Sequence, residues 1–112
     1  MIGGASMIAV SIRDNRANAN AASLLRRLEN MEDVKSLTSA KAFLASSGYQ
    51  CEESDVFQNG ELVEIRAYTG QYLHYLFDKE ELVLIFEFES NVLARSSYRW
   101  VWVRRVFPFD NI

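Results

Sequence analysis

The fold is decided by residues 61–89, which read ELVEIRAYTGQYLHYLFDKEELVLIFEFE. Apolar and polar side chains alternate along much of this stretch, which is typical of β-strands that bury one face. Turn-forming residues interrupt the alternation at Thr69-Gly70 and Asp78-Lys79. Because turns this short join antiparallel neighbours, the stretch predicts a meander of β-strands.

Two further turn signals, at Asn59-Gly60 and Ser90-Asn91, extend this meander in both directions. Five antiparallel strands are predicted on this basis. They cover residues 51–57, 61–68, 72–77, 82–89 and 98–107, and residues 92–95 add a short strand fragment.

The register around Thr69-Gly70 follows from the positions of the charged residues. A two-residue loop would put Glu64 and Arg66 on the same face as Leu73, which would bring charge into the core. A three-residue loop, with Gly70 in the left-handed conformation, instead aligns apolar side chains on one continuous face. That predicted face consists of Val63, Ile65, Ala67, Leu73, Tyr75, Phe77, Leu82, Leu84, Phe86 and Phe88.

The first half of the chain has helical periodicity. Apolar residues recur at spacings of three and four over residues 21–31 and again over residues 34–47, where Gly48 is suited to end a helix. We therefore predict an α+β fold in which an N-terminal helical hairpin packs on one face of the five-stranded sheet.

A different structure is predicted for the residues that precede these helices. Residues 1–6 are expected to be flexible. The alternation of Ile8, Val10 and Ile12 predicts a short strand over residues 7–13, and the Asn-rich residues 14–20 predict a loop or a capped helix entry.

Composition limits the class of protein. A chain of 112 residues with ordinary apolar content predicts a single domain, residues 1–112. Its longest strongly apolar run, residues 82–86, is far shorter than the roughly 20 residues that cross a bilayer, so we expect a cytoplasmic protein without a membrane partner. With one cysteine, Cys51, and one histidine, His74, we expect no disulfide, metal site or cofactor.

The sheet face opposite the predicted helices is partly apolar. It carries Glu64, Arg66, Tyr68, Tyr72, His74, Leu76, Val83, Ile85, Glu87 and Glu89. The last strand adds either Tyr98, Trp100 and Trp102 or Arg99, Val101, Val103 and Arg105, and the pattern leaves both choices open. Because soluble monomers seldom expose large apolar patches, we expect another protein or a second copy in a two-fold dimer to cover part of this face.

The most unusual segment is residues 98–105, where aromatic residues and arginines interleave. These residues could complete the core while the arginines pair with Glu87 and Glu89, form a protein interface, or make a stacking platform for single-stranded nucleic acid. His74 is either a general base or pH-sensitive contact, or an exposed strand residue without a special role. The candidate interface residues are Tyr72, His74, Tyr98, Arg99, Trp100, Trp102 and Arg105.

No enzyme motif of recognisable spacing occurs in the chain, and its net charge is −3. These features favour a noncatalytic protein-interaction module, such as a small acidic inhibitor, immunity or adaptor protein. The alternative is a small-molecule-binding protein or enzyme whose pocket, between sheet and helices, is lined by Tyr68, Tyr72, His74, Tyr98, Trp100 and Trp102. A single-stranded nucleic-acid binder is the third interpretation, and the acidic charge argues against it.

Overall fold

A computed structural model describes the backbone of residues 2–103 and the side chains of residues 15–103. Helix α1 spans Ile2–Glu29, a single 3-10 turn spans Glu32–Val34, and helix α2 spans Leu37–Ser46. The strands are β1 (Gln50–Asp55), β2 (Leu62–His74), β3 (Lys79–Glu89) and β4 (Val92–Trp102). The fold is therefore α+β, with two helices followed by a four-stranded antiparallel sheet of order β1-β2-β3-β4.

Helix α1 replaces the strand and the loop that the sequence predicts over residues 7–20. The alternation at residues 7–13 is too short to specify a strand, because a strand also needs a neighbour to pair with. No proline interrupts residues 2–29, and alanine, the best helix former, occurs four times between residues 17 and 22. The helix therefore continues through the Asn-rich stretch.

Helix α2 begins at Leu37, three residues later than the sequence predicts, because Ser36 caps it. The Ser36 hydroxyl accepts a hydrogen bond from the Ser39 amide at 3.4 Å. At the other end Gly48 has φ +91°, and the Tyr49 amide donates to the Leu44 carbonyl oxygen at 3.2 Å. The prediction that Gly48 ends this helix is thus confirmed.

Strand β2 runs straight through the predicted turn at Thr69-Gly70-Gln71, so the sheet has four strands and the prediction of five is wrong. Tyr68 pairs with Val83 and Tyr72 pairs with Glu81. The three residues between them on β2 therefore lie opposite a single residue of β3. The long strand β3 pairs with both halves of β2, which were predicted to pair with each other.

The left-handed glycine that was predicted for a turn instead forms a β-bulge. Gly70 has φ +75°. The Thr69 hydroxyl donates to the Leu82 carbonyl oxygen at 2.8 Å and accepts from the Gln71 amide at 3.1 Å, which ties the extra residues to β3. The chain bulges without reversing. Residues 92–95, predicted as a separate fragment, likewise belong to the continuous strand β4, and the predicted strand at 98–107 ends outside the described residues.

The core lies between the helices and the face that the register argument selects. Its sheet side consists of the buried residues Val63, Ile65, Ala67, Leu82, Leu84, Phe86 and Phe88, and its helix side of Ala21, Leu24, Leu25, Leu28, Val34, Ala40 and Leu44. Helix α1 lies closest to β4, and α2 lies closest to β1 and β2. Tyr75 and Phe77, predicted for the same face, are exposed, so that part of the prediction is wrong.

The opposite face, here called the outer face, is covered better than its sequence suggests. Val83 and Ile85 point to this face but are only 2% and 7% exposed. Tyr68 and Arg99 flank Val83 in register. This strip is buried within a single chain, so it does not require a second molecule to cover it.

The register also decides which face the last strand presents. Tyr98 pairs with Leu84 and Trp100 pairs with Leu82, so both aromatic residues lie on the helix side. The Trp100 indole N–H donates to the Asn18 side-chain oxygen at 2.9 Å, which ties α1 to β4. Arg99 lies on the outer face.

Candidate interaction surface

The turn between β2 and β3 exposes two large apolar side chains. The Tyr75 amide donates to the Asp78 carbonyl oxygen at 2.7 Å, which closes a tight turn with Leu76 and Phe77 in the middle. Leu76 is 85% exposed and Phe77 is 68% exposed. Tight turns favour Gly, Asn, Asp, Ser and Pro, so turn geometry does not explain this apolar pair.

Aromatic side chains surround this turn. Trp102, at the end of β4, is 65% exposed, and its ring lies 5.3 Å from that of Tyr75. Tyr72 is exposed on the outer side of the same hairpin. We call the five residues together the tip cluster: Tyr72, Tyr75, Leu76, Phe77 and Trp102.

Polar contacts hold the aromatic rings of the tip cluster in place. The Tyr75 hydroxyl donates to the Glu80 carboxylate at 2.5 Å. On the outer side the Lys79 ammonium lies 4.1 Å from the centre of the Tyr72 ring, a cation–π contact. The centres of the His74 and Tyr72 rings are 6.1 Å apart, and the two ring planes are tilted by 50°. These contacts restrict the orientations of the Tyr75 and Tyr72 rings.

The charges around the tip cluster are mainly acidic. Asp78, Glu80 and Glu81 lie in or beside the turn, against one cation, Lys79. The Glu81 carboxylate accepts a hydrogen bond from the Gly70 amide at 3.0 Å, which holds the carboxylate beside the bulge of β2. In the described part of the chain, carboxylates therefore outnumber cations beside the exposed apolar side chains.

The structure brings three of the seven predicted interface residues together. Tyr72, His74 and Trp102 lie at the tip end of the sheet. Tyr98 and Trp100 are half-buried and pack against the core, away from the tip turn. The remaining two candidates are Arg99, on the outer face, and Arg105, which lies outside the described residues.

The residues predicted to line an aromatic pocket between sheet and helices lie on both faces of the sheet. Tyr68 lies on the outer face, whereas Tyr98 and Trp100 lie on the helix side. Side chains on opposite faces of a sheet do not line one cavity. The same alternation puts Arg99 on the face opposite Trp100, so residues 98–102 do not present arginine and aromatic rings on one stacking platform.

An open depression of about 510 Å³ lies on the outer face beside Tyr68 and is lined by Gln50, Cys51, Glu52, Tyr68 and Glu81. The Tyr68 hydroxyl donates to Glu52 at 3.0 Å. Partial burial and this carboxylate raise the pKa of Tyr68, although Arg66 opposes the shift, and partial burial raises the pKa of Cys51. Both groups are therefore protonated at neutral pH, the reverse of what an activated nucleophile needs.

Phe77 is the residue that sequence reasoning missed, because residues 72–77 were predicted to be a strand with Phe77 in the core; Leu76 was placed on the open face, but on a strand and not in a turn. The signal was present in the sequence, since the turn-forming pair Asp78-Lys79 follows them directly. A second exposed apolar pair, Val56 and Phe57, follows β1 at the other end of the sheet. It has no aromatic neighbours of the kind that surround Leu76 among the ring contacts of the described residues.

Comparison with protein-family models, with curated proteins and with solved structures finds no match to this chain. Neither helix, over the residues that the structure describes, combines the length and apolarity needed to cross a bilayer. Among the described side chains, no three histidine, cysteine or carboxylate groups gather around a common point where an ion could bind.

Proposed function

We propose that this chain is a noncatalytic protein-interaction module that presents its tip cluster to a partner protein. The observation that carries the proposal is that Leu76, Phe77 and Trp102, all more than 60% exposed, lie at one end of the sheet, whereas the apolar side chains of the core are buried. Exposed apolar clusters rimmed by polar groups are typical of protein interaction sites. Aromatic side chains in particular supply much of the binding energy at such sites.

The partner is a protein with an apolar recess in a basic surface. The hairpin turn is convex, so it fits a recess better than a flat surface. The carboxylates of Asp78, Glu80 and Glu81 border the apolar side chains and complement positive charge. A small acidic inhibitor, an immunity protein or an adaptor protein would each use a surface of this kind, consistent with the net charge of −3.

The experiment compares two phenylalanines that have similar exposure and lie at opposite ends of the sheet. Phe77 is 68% exposed in the tip cluster and Phe57 is 64% exposed outside it. Wild type, Phe77→Ser and Phe57→Ser are used as bait in the host lysate, and any retained protein is identified, purified and titrated against all three by calorimetry. We expect Phe77→Ser to weaken binding about tenfold or more and Phe57→Ser less than about twofold.

The charge of the partner is the second criterion. A purified partner whose binding surface is basic, and whose affinity falls as salt is raised, supports the proposal. If Phe57→Ser weakens binding as much as Phe77→Ser, the tip cluster is not the interaction surface. The same conclusion follows if every retained protein binds wild type and both variants with equal affinity.

A further inference from the structure

Among the residues that the structure describes, no strand pairs with the outer edge of β1 or of β4. The Val56 amide donates to the Leu62 carbonyl oxygen and the Val103 amide donates to the Lys79 carbonyl oxygen, each at 2.9 Å. Because the hydrogen-bonding direction alternates along an antiparallel strand, the odd-numbered residues of β1 and the even-numbered residues of β4 from Ser96 onward direct their backbone groups outward. The register shift between Leu93 and Arg95 reverses this alternation at the start of β4. These groups are available to another strand.

The free part of β4 is long enough to pair with all of β1. Near its start the Leu93 amide donates to the Lys35 carbonyl oxygen at 2.9 Å, and Ser36 bridges Val92, so that end of the edge is already paired. Residues 96–101 remain open toward the tip, which is six residues. Strand β1 also has six residues, and all of them are exposed.

The two edges carry opposite charges. Strand β1 has three carboxylates, Glu52, Glu53 and Asp55, and no basic residue. The open part of β4 is bordered by Arg95 and includes Arg99, with no acidic residue. In the described part of the chain Arg99 makes no ion pair, whereas Arg95 pairs with Glu87 at 3.1 Å.

We propose that β1 of one molecule pairs antiparallel with β4 of a second copy, head to tail, so that the sheet continues from molecule to molecule. Pairing two β1 edges would bring carboxylates together, and pairing two β4 edges would bring arginines together. Only the mixed pair joins opposite charges. The proposal concerns a surface separate from the tip cluster and does not depend on the proposed function.

The register of this contact is set by the charge pair and by the alternation of outward-directed backbone groups, which places odd-numbered residues of β1 opposite even-numbered residues of β4. Glu52 lies opposite Arg99 of the second copy on the outer face, and Gln50 lies opposite Val101. Moving β1 by two residues toward the start of β4 would place Ser54 opposite Arg95, and moving it by four residues would place Glu52 opposite Arg95. The four-residue shift also places Ser54 opposite Leu93, whose amide is already bonded to Lys35.

A head-to-tail contact does not close on itself after two molecules. The protein therefore assembles into open chains whose length increases with concentration, in contrast to the two-fold dimer that the sequence suggests. Because charge pairs at strand edges are solvent-exposed, the assembly weakens as salt is raised.

Disulfide trapping tests the register directly. In a Cys51→Ser background, Gln50→Cys and Val101→Cys are combined in one chain. They would face each other across the contact as a non-hydrogen-bonded pair, with Cα atoms about 4.5 Å apart, within reach of a disulfide. Within one molecule the two strands are separated by three inter-strand spacings, roughly 14 Å, so an internal disulfide is excluded.

The expected result of oxidation is a ladder of trimers and longer species on a non-reducing gel for the double-cysteine variant. Each single-cysteine variant is the matched control, because one thiol per chain cannot extend beyond a dimer. A double-cysteine variant that is folded and stops at monomer or dimer overturns the proposal.

Charge reversal tests the same contact without new covalent bonds. We expect Glu52→Arg and Arg99→Glu each to weaken association about tenfold in light scattering at low salt, and an equimolar mixture of the two variants to restore it. The controls Glu32→Arg and Arg66→Glu change the net charge equally at exposed positions outside both edge strands. A monomeric mass for the wild type at hundreds of micromolar, or no recovery in the mixture, overturns the proposal.

Discussion

The two ends of the β2–β3 hairpin have similar apolar sequences and opposite environments. At one end Leu84, Phe86 and Phe88 are fully buried, because both helices lie over that part of the sheet. At the other end Leu76 and Phe77 are exposed in a turn. The alternation of apolar residues thus indicates which face a side chain occupies, whereas the reach of the helices decides whether the side chain is buried.

The boundary between these ends lies at the bulge around Gly70. On the α2 side of the bulge the helix-facing residues of β2, Val63, Ile65 and Ala67, are buried. Beyond it Leu73 is half-buried and Tyr75 is exposed. Burial on the helix side therefore decreases beyond the bulge, and this exposed end of the hairpin carries the tip cluster.

The largest expected effect comes from the covered end. Phe86→Ala removes a fully buried ring at the centre of the core, and we expect it to lower the free energy of unfolding by about 3–5 kcal/mol. Denaturant melts of the purified variant and of wild type give the difference. A loss below about 1 kcal/mol would mean that the helices do not cover this part of the sheet.

A smaller effect is expected at the boundary. Nothing lies within 4 Å of a Cβ built on Gly70, so Gly70→Ala meets no clash and only forces alanine into φ +75°. We expect a destabilisation of about 1–2 kcal/mol by the same melts, with Gln71→Ala, at the exposed neighbour, as the control. If alanine instead stabilises the protein, as at ordinary backbone angles, the bulge is not present in solution.

The smallest effect is expected at the exposed end. Leu76→Ser removes a side chain that is 85% exposed, so we expect thermal and denaturant melts to match those of wild type within about 0.5 kcal/mol. A loss of more than about 1.5 kcal/mol would show that the turn packs against another part of the protein, and the contrast between the two ends would disappear.

Much of the fold follows from local patterns in the sequence. The helix-side face was predicted correctly from Val63 to Ala67 and from Leu82 to Phe88, because misplacing charge would be costly in any other register. The turn at Ser90-Asn91 is also confirmed, and both residues have positive φ, 49° and 70°, as a two-residue hairpin turn requires.

Other features depend on contacts that no local pattern contains. A left-handed Gly70 suits both a turn and a bulge, and the choice depends on the partner strand, since β3 is long enough to pair with both halves of β2. The helical state of residues 7–20 depends likewise on continuity with the helix that follows. The exposure of Phe77 could not be inferred while residues 72–77 were assigned to a strand.

The role of the candidate interface residues stays a prediction, and the structure describes only their positions. Tyr72, His74 and Trp102 were named from their residue types and lie at the same end of the sheet, because antiparallel pairing brings the ends of β2 and β4 to the same end of β3; Tyr72 and His74 are on the outer face and Trp102 is on the helix side. Trp100 was named for the same reason, yet it contacts α1 through Asn18. Two residues with the same chemistry thus differ in burial, since Trp100 is half-buried and bonded to α1 whereas Trp102 is 65% exposed.

This difference between the two tryptophans, the only ones in the chain, gives the molecule a pair of intrinsic optical reporters. Trp100 is half-buried and hydrogen-bonded to α1, so its emission is shifted to the blue and responds when that helix separates from the sheet. Trp102 is 65% exposed and emits as an indole in water. Replacing Trp102 with phenylalanine leaves Trp100 as the only tryptophan, so the remaining emission reports whether α1 is docked on the sheet. The spectrum of the wild type minus that of the variant reports the surroundings of Trp102.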